Sequence, residues 1–139
     1  MITVSQDYKA ISLMRPAAIT ATGTSTGVSV KELLDDAVAI LNVGAVAGTN
    51  PTLDLAIQTS NLVGGTYTTV ATFGRVTAAN KLGAVRVNLG GQNGGSVDQK
   101  FVRASYTIGG TDTPSFTVSL VLLVKANEAY GTLNPTTPA

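Results

Sequence analysis

Thr52-Leu53-Asp54-Leu55-Ala56-Ile57-Gln58-Thr59 decides the fold. Leu53, Leu55 and Ile57 fall on one side of an extended chain, and Asp54, Ala56 and Gln58 fall on the other. That period of two is the mark of a strand with one buried face. The same reading extends outward from it. Phe101-Val102-Arg103-Ala104-Ser105-Tyr106-Thr107-Ile108 turns Val102, Ala104, Tyr106 and Ile108 inward. Ser115-Phe116-Thr117-Val118-Ser119-Leu120 alternates cleanly, and Val121 to Val124 is then apolar on both faces. A strand apolar on both faces is central in its sheet or covered by a partner. Ala37-Val38-Ala39-Ile40-Leu41-Asn42-Val43 reads as a buried strand, and Val85-Arg86-Val87-Asn88-Leu89 as a short alternating one. Thr66 to Phe73 is β-branched and aromatic, and its alternation slips between Val70 and Phe73, which predicts a bulge or twist there. Ile19–Thr22 and Val28–Val30 are shorter strands separated by a turn at Gly23 or Gly27.

Turn chemistry separates these runs. Gly48-Thr49-Asn50-Pro51, Gly64-Gly65, Gly90-Gly91-Gln92-Asn93-Gly94-Gly95 and Gly109-Gly110-Thr111-Asp112-Thr113-Pro114 supply positive φ or a fixed proline φ. Short strands at this spacing, about seven to eight of them, define an all-β antiparallel sandwich of the jelly-roll kind with little helix. Val30-Lys31-Glu32-Leu33-Leu34-Asp35-Asp36 is the best helical segment, one or two turns behind a Ser29 cap, with a polar loop as the alternative. Three parts follow: an N-terminal arm over 1–16, a sandwich over 17–125 and a polar tail over 126–139.

Composition narrows the function. The chain has 139 residues, enough for one domain with a real core. Charged residues are 12% of it, about half the usual share. With a net charge of +1, copies repel one another weakly, which suits a protein packed against neighbours. There is no cysteine and no histidine. Ser-His-Asp and Cys-His nucleophile systems and thiolate metal sites are therefore absent. The N-terminus has neither the basic nor the apolar region of a signal peptide, and no apolar run is long enough to cross a bilayer as a helix. Synthesis in the cytoplasm without export is the expectation, with no membrane partner.

The remaining motifs carry little chemistry. The Gly90–Gly95 loop lacks the Lys-Ser/Thr and the helix of a phosphate cradle. Glu32, Asp35 and Asp36 form the one acidic cluster, and it lies within a single short segment. It could not straddle a sugar as a glycosidase pair does, and its spacing is not that of an EF-hand. Three Phe and four Tyr, without interleaved cations, give no base-stacking platform, so nucleic acid is not an expected partner. Sugar binding lacks the flat tryptophan it commonly uses, since the chain has none, and Tyr67 and Tyr106 fit sheet packing better. No enzyme activity and no cofactor is expected. If the chain works by contact, its candidate interface residues are Arg15, Arg75, Arg86 and Arg103, with Tyr130 and Leu133 of the tail. Arg86 and Arg103 are expected on outward strand faces, where they could line one sheet face.

The succession Asn42 to Ser60, Thr66 to Phe73, Phe101 to Gly110 and Pro114 to Ser119 resembles small virion proteins of tailed bacteriophages, in particular capsid cement or decoration proteins. The likeness covers residues 17–124 and is a pattern of strands and turns. It implies a place on the capsid exterior, contacts that stabilise neighbouring major capsid protein subunits, and a homo-oligomer, dimer or trimer. Another phage component (tail, neck or head fibre) or a carbohydrate- or host-surface-binding module would use the same sandwich.

Overall fold

A computed structural model describes residues 8–30, 33–88 and 101–126. Every regular element in them is a strand: β1 (Tyr8–Ile19), β2 (Gly23–Thr24), β3 (Val28–Ser29), β4 (Leu33–Ser60), β5 (Thr68–Thr72), β6 (Lys81–Asn88) and β7 (Phe101–Ala126). Two of these are far longer than an ordinary strand of about five to six residues: β4 has 28 residues and β7 has 26. They pair antiparallel from Leu33↔Ala126 to Ser60↔Phe101 and form one ribbon through the molecule.

That ribbon is bent in its middle. Its register shifts between Val43 and Val46, again between Ala47 and Thr49, and again between Thr49 and Thr52. Gly48, Asn50, Gly110, Asp112 and Thr113 all take positive φ there. A Cβ on Gly110, at φ +117°, would lie 2.9 Å from both the Asn50 carbonyl oxygen and the Pro51 Cα. Only glycine fits so close an approach in that conformation. The turn signals of the sequence at 48–51 and 109–114 are thus corners within two strands and not loops between four.

The corner divides the sheet into two four-stranded halves. β1, the C-terminal part of β7, the N-terminal part of β4 and β6 are neighbours in one, through the pairings Ile11↔Leu122, Ala39↔Leu122 and Ala39↔Val85. The pair β2 and β3, the N-terminal part of β7, the C-terminal part of β4 and β5 are neighbours in the other, through Gly23↔Tyr106, Ile57↔Ala104 and Ile57↔Ala71. A hairpin ribbon folded over itself with the remaining strands laid on its two edges is a jelly roll, and the antiparallel sandwich expected from the sequence is what forms.

Alternation supplies the core. Ala37, Ala39, Leu41, Val43, Phe116, Val118, Leu120, Leu122 and Val124 come from the first sheet. Leu53, Leu55, Ile57, Val76, Val102 and Ala104 come from the second, and all belong to one buried cluster. Each large side chain removed from water contributes about 1.5–3 kcal/mol, so this cluster holds the sheets face to face.

Four details depart from or refine the sequence reading. Residues 8–16, assigned to an arm, lie in β1, where Ile11, Leu13 and Met14 are buried. Bulges between Ser12 and Met14 and between Met14 and Ala17 break the alternation, which is why no period was legible there. The helix expected within 30–36 is replaced by the start of β4 at Leu33, whose backbone pairs with Ala126. The bulge expected after Val70 sits at Val70 itself, skipped between Ala71↔Ile57 and Thr69↔Gln58. The Gly90–Gly95 loop and the tail from 127 onward lie outside the described residues.

Candidate functional site

With the inward residues committed to the core, function falls to the outward residues. The two sheets present opposite chemistries there. On the first sheet, β1 contributes Ala10 and Ser12, β7 contributes Val121 and Leu123, β4 contributes Val38 and Ile40, and β6 contributes Leu82, Ala84 and Arg86. They stand in rows fixed by the pairing: Ala10, Leu123, Val38 and Arg86 across the four strands, then Ser12, Val121, Ile40 and Ala84 beside them. Leu82 is 74% exposed and Val38 37%. The face is apolar over Ala10, Leu123, Val38, Val121, Ile40, Ala84 and Leu82, with Arg86 at one corner and Ser12, Ser119 and Asn42 along the end nearer the bend.

The second sheet presents a polar face. Arg103 Nε donates to Gln58 Oε1 at 3.0 Å, and Gln58 Nε2 donates to Thr69 Oγ1 at 3.3 Å, a ladder across β7, β4 and β5. The Arg103 guanidinium also lies 3.9 Å from the centre of the Tyr67 ring, a cation–π contact. Arg75 grips Asp54 with two parallel bonds, Nε to Oδ1 at 3.0 Å and Nη2 to Oδ2 at 2.8 Å. Those bonds hold the Asp54 carboxyl below its ordinary value and raise Arg75 above its own. Both side chains are largely exposed, so solvent screens the pair and its contribution to stability is small. Beyond this face the β4–β5 loop carries Leu62 and Val63, both exposed, and the Val63 carbonyl accepts from Tyr67 Oη at 2.8 Å.

The arginines singled out in the sequence do not gather. Arg75 and Arg103 belong to the second sheet's side, where each already holds a partner. Arg86 is on the first sheet, paired across to Val38, so Arg86 and Arg103 line opposite surfaces and not one. Arg15 is exposed on β1 beside a bulge. Tyr130 and Leu133 lie outside the described residues. The apolar face was half legible: Val38, Ile40, Val121 and Leu123 are the off-parity members of runs apolar on both sides, whereas isolated Leu82 gave no signal. Among the described residues no group of three or more acidic side chains could hold a metal.

This arrangement defines a class, a jelly-roll sandwich with surfaces suited to contact. Comparisons with known proteins place the fold. No family model matches the chain, and no curated protein does. Among solved structures the chain is similar to the PBSX exported protein XepA, with a TM-score of 0.57 and 22% identity over 100% of this chain and 44% of that one. It is also similar to a chain in a structure of infectious bursal disease virus, Gx strain, with a TM-score of 0.60 and 12% identity over 91% of this chain and 34% of the other. The chain spans less than half the length of either. At such identities the likeness is one of fold.

Proposed function

We propose that the chain is a structural virion protein that binds the exterior of a bacteriophage capsid and stabilises contacts between major capsid protein subunits. The carrying observation is the apolar outer face of the β1–β7–β4–β6 sheet, set against a polar face on the other side. An apolar patch on one outer face and a polar ladder on the other suit a protein that docks through the first. Strands about 4.8 Å apart and a rise of about 3.4 Å per residue give a face of four strands by five residues an extent of about 320 Å². Its apolar part is smaller than this whole extent, at the low end of the largest apolar patch of a typical monomer, about 300–600 Å² and often functional. It is well below the ~800 Å² per partner of a stable pairwise complex. One copy would bind weakly, and strength would come from many copies on one shell, which cannot open locally without breaking several contacts together. The similarity in fold to a virus structure and the low charge support the same reading, as does the pattern shared with phage cement proteins. The work is done by binding, with no catalytic step and no cofactor.

The test is copy number. Recombinant protein is mixed with capsids produced without it, and the washed shells are scored by quantitative mass spectrometry and by the temperature at which they release DNA. Saturable binding in hundreds of copies with a raised release temperature is the expected result. A handful of copies per particle, or no binding to the shell, would overturn the capsid-exterior role and move it to the tail, neck or fibre or to host-surface binding.

A further inference from the structure

The polar ladder does not stop at the sheet. Gln58 donates to Thr69, Arg103 donates to Gln58, the Arg103 guanidinium lies on the Tyr67 ring, and Tyr67 Oη donates to the Val63 carbonyl. These contacts form one relay from the middle of the polar face to the tip of the β4–β5 loop. The tip is tied down further. The Leu62 N–H donates to Ser60 Oγ at 3.2 Å, and the Gly65 N–H donates to the Leu62 carbonyl at 3.0 Å, which closes a turn. Gly27 flanks it. A Cβ there would run into the Tyr67 hydroxyl and lie 3.4 Å from Val63 Cγ2, so the bare glycine admits the hydroxyl that fixes Val63. On this fixed turn the side chains that stand out into solvent are Leu62, 68% exposed, and Val63, 56% exposed. Single apolar residues on a surface are ordinary. Two adjacent ones on a turn held by its neighbours have the character of binding anchors, because groups positioned before contact lose little freedom on binding.

We propose that Leu62 and Val63 are a preorganised anchor that seats in an apolar pocket of a shell protein, as a second contact besides the first sheet's outer face. The inference rests on the capsid reading. Arg103 and Tyr67 are then positioning residues that buttress the anchor. The occupant is a shaped protein pocket and not a lipid surface. Apolar segments that enter a bilayer draw on nearby cations for attraction to anionic headgroups. Among the described residues the cation reaching this loop is Arg103, and its guanidinium is already engaged by Gln58 and Tyr67. Rigidity also brings no advantage in a fluid bilayer, whereas in a fixed pocket it does. The loop joins β4 to β5 in the second sheet, and the apolar face belongs to the first. Contacts on two parts of one domain let a single copy touch two neighbouring subunits, which is what holding them together requires.

The test titrates wild type, Leu62→Ser with Val63→Ser, and Tyr67→Phe onto capsids produced without the protein, and records the temperature of DNA release. Both serine substitutions are at exposed positions, so the double variant should keep the circular dichroism and melting temperature of wild type. Its apparent affinity should fall at least about tenfold, since one of two linked contacts is lost, and the rise in release temperature should go with it. Tyr67→Phe keeps both apolar side chains and removes the hydroxyl that holds Val63, so it should weaken binding by a smaller factor. Wild-type affinity in the double variant overturns the anchor while leaving the capsid reading standing. A weakened double variant beside an unchanged Y67F overturns the preorganisation. Failure of wild type to bind shells overturns the capsid reading and the anchor with it. Flotation of wild type with phosphatidylcholine–phosphatidylglycerol vesicles, or a concentration-dependent dimer, that the double variant loses would assign the loop to lipid or to a second copy and overturn the pocket.

Discussion

Replacing Ile11 with alanine tests whether the N-terminal segment is a strand of the core or an appendage. Ile11, on the edge strand β1, is 2% exposed and pairs with Leu122 of the internal strand β7, itself 0% exposed. Truncating a buried isoleucine to alanine costs about 2–5 kcal/mol, the spread depending on how far the cavity collapses. Here collapse is limited, because Leu13 and Met14, which follow Ile11 on the same strand, are also buried and the strand is fixed by its ladder to β7. For a chain of 139 residues each kcal/mol shifts the melting temperature by about 3–5 °C. The expected drop is therefore about 6–25 °C. Ser12, one residue on, is exposed, so Ser12→Ala should change stability by less than about 0.5 kcal/mol. Thermal melts followed by circular dichroism read both variants. Equal and negligible shifts for the two would show that β1 is not in the core, and the fold argument for the first sheet would fail.

Gly110→Ala should destabilise by about 2 kcal/mol or more, since the residue has φ +117° and the new Cβ meets backbone at 2.9 Å; urea denaturation measures it. Thr59→Val should be neutral or stabilising by about 1 kcal/mol, because Thr59 Oγ1 is buried with no hydrogen-bond partner among the described residues; a loss of stability would reveal a partner for that hydroxyl. The Asp54 carboxyl is held below its ordinary value of 3.8 by Arg75, so the stability it adds is present above that pH and fades as pH falls through the lower folded value. The small difference in melting temperature between wild type and Asp54→Asn should accordingly vanish in acid and persist at neutral pH, with the opposite trend ruling out the pair as its source.

The sequence spoke most clearly where one face is buried and the other wet. Leu53, Leu55 and Ile57, and Phe116, Val118 and Leu120, were legible because alternation has no other cause in a chain so poor in helix signals. Val70 showed its bulge because a single extra residue flips parity. β1 was hidden for the same reason: its two bulges and Pro16 scramble the period over Tyr8–Ile19. The corners at Gly48 and Gly110 are indistinguishable from turns between strands in the sequence, since glycine and proline mark a reversal of direction without saying whether pairing continues through it. The polar ladder of Arg103, Gln58 and Thr69 joins residues 45 and 11 positions apart, and sequence spacing carries no trace of it. The apolar face was visible only as strands with too many apolar residues, which is also how a strand covered on both sides by its own chain appears.

The central claim is that the first sheet's outer face is the docking surface, and paired face variants test it most directly. Val38→Asp with Leu82→Asp charges the apolar face at two exposed positions, and Gln58→Ala with Thr69→Ala strips the polar ladder from the other. Co-sedimentation with capsids lacking the protein, after circular dichroism confirms both variants folded, should show binding abolished by the first pair and retained by the second. Retained binding by the charged pair, with loss on stripping the ladder, would contradict the account and put the contact on the opposite sheet.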